Sequence, residues 1–173
     1  DRAVDYAYQS RLRFPDKRVF LTGEIIHNPH VNEKLRPSGI RFLDDPGESP
    51  EALGPDAVVI LPAFGVTVAQ LAAFDRQGCT LVDTTCGSVV HVWKRVERYA
   101  RDGYTALIHG KMAHEETVAT CSHVTREGGR YLVVRNRDEA ELVCAFIRDG
   151  EGAAALPARF AGSRRQRLHP GRS

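Results

Sequence analysis

The spacing of apolar and polar positions switches repeatedly between a helical and an extended period. From residue 1 to Phe14, the positions Val4, Ala7, Tyr8, Arg11 and Leu12 recur at helical spacing with apolar residues on one side, and Pro15 breaks the run. Arg18 to Gly23 is a short apolar stretch closed by glycine, the pattern of a strand. Asn28-Pro29 supplies an N-cap and a first-turn proline for a helix through Asn32 to Arg36. A second strand is expected at Ile40 to Leu43, and Ser49-Pro50-Glu51 caps a short helical turn. Ala57 to Leu61 is an unbroken apolar run, as a parallel strand covered on both faces requires. Thr67 caps a helix reaching about Gln77.

The alternation continues with a strand at Thr80 to Asp83, a long amphipathic helix at Ser88 to Arg101 and a strand at Thr105 to Ile108. A helix follows near Glu115 to Cys121, then a strand at Tyr131 to Arg135 and a helix at Asp138 to Ile147. Strands and helices that alternate through short Gly-bearing loops predict parallel α/β layers built from right-handed βαβ units. The pattern divides near Cys86 to Ser88, so two lobes are expected, without an internal sequence repeat.

Composition changes this picture little: 173 residues with 42% hydrophobic and 27% charged residues describe a globular chain, not a disordered or collagenous one. No apolar run approaches the roughly 20 residues of a membrane-spanning helix. The opening Asp1-Arg2-Ala3-Val4 has no initiator Met and no leader pattern, and reads as the inside of an element. Charge has more to say. The formal net charge is +2, but residues 159 to 173 hold five arginines and no acid, so the body up to residue 158 carries −3. That distribution argues against nucleic acid as a partner. The segment from residue 151 onward, rich in Arg, Gly, Pro and Ala, has no clear periodicity and reads as a disordered or out-of-frame tail.

In parallel α/β sheets, ligands gather beyond the carboxyl ends of strands. Four such loops are rich in reactive side chains: Glu24 to Pro29, Pro62 to Thr67, Asp83 to Ser88 and His109 to Thr117. Cys86 is the sharpest candidate, because a thiol between a strand end and a helix start is in the setting that favours the thiolate, the form that ligates metal or attacks carbon. His27 stands where a capping loop begins, as a ligand or a loop hydrogen bonder. His114, Glu115 and Glu116 open a helix, where acids are favoured by the helix dipole whether or not they do chemistry. His109 and Lys111 add positive charge suited to an anion such as a diphosphate. Cys144, on a stripe with Ala140 and Ile147, is expected to pack. Cys79 and Cys121 read as structural, and His30, His91, His123 and His169 as surface or tail. The four cysteines are spaced 7, 35 and 23 residues apart, with no Cys-x-x-Cys pair, and reduced cytosolic thiols are the default expectation.

Glu24-Ile25-Ile26-His27-Asn28-Pro29, Leu61-Pro62-Ala63-Phe64-Gly65-Val66, Val82-Asp83-Thr84-Thr85-Cys86-Gly87 and Ile108-His109-Gly110-Lys111-Met112-Ala113-His114-Glu115-Glu116-Thr117 together resemble the LytB/IspH family of 4-hydroxy-3-methylbut-2-enyl diphosphate reductases, in order and in spacing. The resemblance runs from Asp1 to about Ile147 and is nearest the branch of cyanobacteria and plants. It implies an iron–sulfur oxidoreductase of the methylerythritol phosphate route to isoprenoids. Such an enzyme removes the hydroxyl of an allylic diphosphate substrate to give isopentenyl and dimethylallyl diphosphates. It also implies a 4Fe-4S cluster held by three cysteines, one per lobe of a three-lobed trefoil, a ferredoxin- or flavodoxin-type electron donor, and a cytoplasmic location without membrane or nucleic acid partners. By the resemblance, Cys86 matches a cluster ligand (the metal site), His27 and His114 match diphosphate-binding residues, and Glu116 matches the catalytic proton donor.

Departures matter too. Many bacterial members carry His where this chain has Phe64. The family's other two cluster cysteines have no match here, since none of Cys79, Cys121 and Cys144 aligns with a ligand. The resemblance therefore implies an α/β chain comprising a first lobe over residues 1–86 lacking its N-terminal strand and cysteine loop, a partial second lobe over 87–150, and a basic tail over 151–173, with the third lobe missing. The chain alone is then expected to be inactive. Two alternatives remain: a cluster-free module that binds diphosphate through His27, His114 and Lys111, and an enzyme using Cys86 as a thiol nucleophile.

Overall fold

Five consecutive buried residues, Ala57–Leu61, form the central strand β3 of a four-stranded parallel sheet. Its neighbours are β1 (Arg18–Leu21) and β4 (Thr80–Asp83), with β2 (Ile40–Phe42) outside β1, in the order β2-β1-β3-β4. The computed structural model describes residues 2–150; the Arg-rich segment 151–173 and the expectation attached to it lie outside the described residues. The chain divides into two compact units, one up to His91 and one from Val92 onward.

In the first unit the register aligns Val19 with Ile40 and Val58, and Val58 with Thr80. Strand side chains alternate between faces, so this register sorts the apolar residues into two cores. On one face Val19, Leu21, Ile40, Phe42, Val58 and Ile60 pack with Ala3, Ala7, Ile25 and Leu35. On the other, Phe20, Ala57, Val59 and Leu61 pack with Leu43, Leu53 and Phe74. Helix α1 (Arg2–Arg13) supplies Ala3 and Ala7, α2 (Pro29–Leu35) supplies Leu35 and α3 (Val68–Arg76) supplies Phe74; Ile25, Leu43 and Leu53 come from the connecting loops.

The caps sit where the sequence predicts them. Asn28 Oδ1 accepts from Val31 N at 3.3 Å with Pro29 in the first turn. Thr67 and Gln70 form a reciprocal capping box, Gln70 N donating to Thr67 Oγ1 at 3.2 Å and Thr67 N to Gln70 Oε1 at 3.0 Å. Helix α1 differs in its facing. Its buried stripe is Ala3, Ala7 and Ser10, while Leu12 is 81% exposed. Two alanines let the helix approach the sheet closely, and Ser10 satisfies its hydroxyl internally by donating to Tyr6 O at 2.6 Å.

In the second unit, β5 (Thr105–His109) and β6 (Arg130–Val134) pair in parallel, Leu107 opposite Leu132. Helix α5 (Glu115–Arg126) connects them and α6 (Arg137–Asp149) follows; α4 (Gly87–Arg101) begins in the first unit and ends in the second. Leu132, Val134, Val143 and Phe146 form a small core.

Three sequence expectations are corrected here. Helix α5 runs five residues past Cys121, because Ala119, Thr120, Cys121, His123 and Val124 are buried and tertiary packing carries residues of weak helix propensity. His123 is not a surface residue: its Nδ1 lies 2.5 Å from the Glu97 carboxylate, its ring stacks on Trp93 with centroids 4.1 Å apart, and Arg126 donates to the same carboxylate at 2.7 Å. Cys144 does not pack with Ala140 and Ile147. It is exposed and Ile147 is 60% exposed, because α6 turns Glu139, Val143 and Phe146 inward. Glu139 is 1% exposed and accepts from Arg135 N at 2.7 Å and Arg135 Nε at 2.9 Å, while its own N–H donates to Asn136 Oδ1 at 3.0 Å. A buried, satisfied carboxylate thus occupies the stripe that polarity assigns to solvent.

Gly129 allows the close packing behind β6, since a Cβ there would lie 2.4 Å from Ala100 Cβ and 3.0 Å from Val124 Cγ1. Gly129→Ala is expected to destabilise the chain by about 1–3 kcal/mol through overpacking, read as a lower denaturant midpoint. Burial pushes the Cys121 thiol up to about 11. Its thiolate, the reactive form, therefore appears only as pH rises toward that value. In alkylation at pH 8 followed by mass spectrometry, exposed Cys144 should label while Cys121 labels only after denaturation; equal labelling in the native chain would contradict this packing.

Candidate functional site

Because all four strands of the first unit are parallel, the loops after β1, β3 and β4 leave from one edge of the sheet. Backbone hydrogen bonds stitch those loops side by side: Ala63 N donates to Ile25 O at 3.1 Å, and Cys86 N donates to Ala63 O at 2.7 Å. Thr84 is buried and ties the β4 loop to β3, its Oγ1 donating to Leu61 O at 2.6 Å. Asp83 Oδ1 then accepts from Thr85 N at 2.9 Å, forming a local turn ahead of Cys86.

Cys86 is exposed at the start of α4, and its carbonyl accepts the first helical bond, from Val90 N at 3.1 Å. This is the N-cap position of a fifteen-residue helix. His27 lies on the adjoining loop, with Nδ1 3.4 Å from a Glu24 carboxylate oxygen. Its ring stacks face to face on Phe64, centroids 4.5 Å apart and planes within 3°. Asn32, buried in α2, braces the backbone just before His27 by accepting from Ile25 N at 3.0 Å and donating to Ile26 O at 2.9 Å.

In the second unit, the loop after β5 leads into α5. Gly110 N donates to Val134 O at 3.0 Å, which ties the loop to β6, and a Cβ on Gly110 would meet Thr117 Oγ1 at 2.6 Å. His114 is the N-cap of α5 without a side-chain capping bond, and its carbonyl accepts from Val118 N at 2.9 Å. Glu115 and Glu116 occupy the first turn and are exposed, as is Lys111. The four predicted site residues therefore fall into two groups. His27 and Cys86 share the carboxyl edge of the first unit, and His114 and Glu116 share the first turn of α5 in the second.

Glu24, Asn32 and Thr84 are residues of this edge that sequence reasoning missed. Asn32 had a legible signal, a polar side chain on the inward stripe of a predicted helix. Thr84 had none, since its partner is a backbone carbonyl 23 residues away.

The donor set tests the iron–sulfur expectation. Cubane clusters are held by several thiolates. Of the first unit's two cysteines, Cys86 is at the carboxyl edge, while Cys79 precedes β4 at the opposite end and its thiol is raised mainly by burial. Within the second unit, Cys121 is buried in α5 and Cys144 is exposed on α6. Within the first unit the described donors supply one thiolate at this edge, Cys86, which fits one corner of a cluster.

The LytB protein family model matches residues 1–154. A 4-hydroxy-3-methylbut-2-enyl diphosphate reductase of Thermosynechococcus vestitus is 45% identical over 163 residues, covering 93% of this chain and 40% of the relative. One from Gloeobacter violaceus is 45% identical over 166 residues, covering 92% and 39%. The solved structure of (E)-4-hydroxy-3-methyl-but-2-enyl diphosphate reductase, the terminal enzyme of the non-mevalonate pathway, superposes with a TM-score of 0.68 at 24% identity over 80% of this chain and 47% of that one. The E-1-hydroxy-2-methyl-but-2-enyl-4-diphosphate reductase from Plasmodium falciparum gives 0.67 at 23% identity over 81% and 42%. These two establish the likeness of fold. The chain spans about 40% of the length of the curated relatives it matches. With the family match running through both units and the parallel α/β layers shared with solved relatives, the chain belongs to the LytB family.

Proposed function

We propose that this chain is part of a 4-hydroxy-3-methylbut-2-enyl diphosphate reductase, acting on an allylic diphosphate to give isopentenyl and dimethylallyl diphosphates. The observation that carries the reading is the 45% identity to reductases of that name together with the positions of His27 and Cys86 in the loops after β1 and β4 and of His114 and Glu116 at the start of α5. Two electrons and two protons are consumed per turnover. One proton leaves with the hydroxyl as water and the other goes to the allyl carbon.

Each side chain takes a role that suits its chemistry. His27 and His114 hold diphosphate oxygens through imidazole N–H groups. Glu116, exposed in the first turn of α5, is the proton donor, a role that a carboxyl fills in its protonated form. Cys86 is one ligand of a 4Fe-4S cluster, which when bound supplies electrons one at a time. Since the first unit brings one thiolate to its edge where a cubane needs several, and the chain spans about 40% of its relatives' length, cluster assembly is proposed for a longer parent. A ferredoxin- or flavodoxin-type donor and a cytoplasmic setting accompany this reading; among the described residues no helix is long and apolar enough to cross a membrane.

The test is a chimera in which this chain replaces the corresponding segment of the Thermosynechococcus vestitus reductase, reconstituted anaerobically and assayed with a chemical reductant. Turnover of the allylic diphosphate is expected, falling by about 10²–10⁴-fold in Glu116→Gln with the cluster's absorbance retained. A folded, cluster-loaded chimera without turnover would sink the proposal. The 173-residue chain alone, given iron and sulfide anaerobically, is expected to develop no stable charge-transfer band.

A further inference from the structure

The His27 imidazole is constrained on its face, on one edge and through its backbone. Phe64 covers the face, its ring parallel to the imidazole within 3° at a centroid distance of 4.5 Å. Phe64 is only 7% exposed, and the residue before it is bonded on both sides, to Ile25 O through its N–H and to Cys86 N through its carbonyl. The stacking partner thus stands on a loop bonded to both of its neighbours along the edge. Glu24 meets Nδ1 at 3.4 Å. The backbone leading into His27 is held by Asn32 at residues 25 and 26, and by Asn28 N donating to Ile26 O at 2.7 Å.

We infer that Phe64 is a positioning residue for His27: the stack fixes the plane of the imidazole, Glu24 takes Nδ1, and Nε2 is thereby the nitrogen that meets a diphosphate oxygen. This rests on the reading of His27 as a diphosphate ligand. A carboxylate beside Nδ1 keeps the proton on that nitrogen, and a ring protonated at both nitrogens donates one N–H to Glu24 and the other to the anion. Free rotation about the ring's bond to the chain would cost orientation each time an anion bound, and a planar neighbour removes that freedom where an aliphatic one of similar bulk does not. The position is therefore selective for an aromatic ring rather than merely for an apolar side chain.

The experiment compares the full chain with Phe64→Leu and Phe64→Tyr, using imidazole nitrogen chemical shifts to read the His27 tautomer and calorimetry with inorganic diphosphate to read affinity. In the parent chain and in Phe64→Tyr, a His27 signal with the proton on Nδ1 is expected in the neutral ring. In Phe64→Leu the signal should move toward a mixture of tautomers, and diphosphate binding should weaken by about two- to tenfold. Thermal denaturation of both variants separates this from loss of fold, and Phe64→Tyr must restore the parent pattern. A Phe64→Leu chain that stays folded and keeps the parent tautomer overturns the positioning role, whatever its affinity. If His27→Ala binds diphosphate as well as the parent chain, the reading of His27 as a ligand fails instead, and the tautomer comparison alone judges the stack.

Discussion

Two-sided burial of a parallel sheet is the constraint from which the rest of the first unit follows. Strand β3 has no solvent-facing residue, so helices must cover both faces, and the chain must cross over after every strand to run the next one in the same direction. Each crossover brings a loop to the same edge. Cys86, His27 and Phe64 are neighbours along that edge because β1, β3 and β4 are neighbours in the sheet, although 58 residues of chain lie between His27 and Cys86. Burying the large apolar side chains of these strands contributes on the order of 1.5–3 kcal/mol each before the entropy of ordering them is counted. The edge loops add Ile25 and Phe64 to that burial and are further held by directional bonds, from Thr84, Asn32 and the backbone of Ala63.

The second unit solves its packing differently. Strand β5 keeps Leu107 exposed, and much of what joins α4 to α5 is polar: one carboxylate, Glu97, receives both His123 and Arg126. Glu127 is held below the usual carboxylate range by Arg101 and also by Arg126, which extends the same network at the surface. At α6 a buried Glu139 replaces an apolar side chain in the inward stripe. Such groups are tolerated because their hydrogen bonds are made, and they specify a helix register more narrowly than another leucine would.

Where the hydrophobic period was strong, the elements were legible: β3 from its five apolar residues, α2 and α3 from their caps, α4 from its amphipathic stripe. Where side chains violate their usual partition, the reading went astray. Glu139 on the inward stripe moved Cys144 and Ile147 outward, and His123 is inside because a carboxylate 26 residues away receives it. The residues at the loop tips were singled out as chemistry because they are reactive types at strand ends and because four motifs match one family. The supports beneath them, Glu24, Asn32 and Thr84, depend on contacts between segments distant in sequence or on geometry no period encodes. Phe64 stood out only as a departure from a family pattern, whereas the fold shows it as the surface against which His27 lies.

The stack of Trp93 on His123 has a spectroscopic consequence. Trp93 is the chain's single tryptophan, it lies in the second unit, and its indole N–H is buried without a hydrogen-bond partner among the described residues. Emission excited at wavelengths that tyrosine does not absorb therefore originates wholly from the second unit, from an indole in van der Waals contact with an imidazole that can quench it. The chain carries an internal lamp for one of its halves, and the melting of the other half must be followed by a different signal, such as backbone circular dichroism.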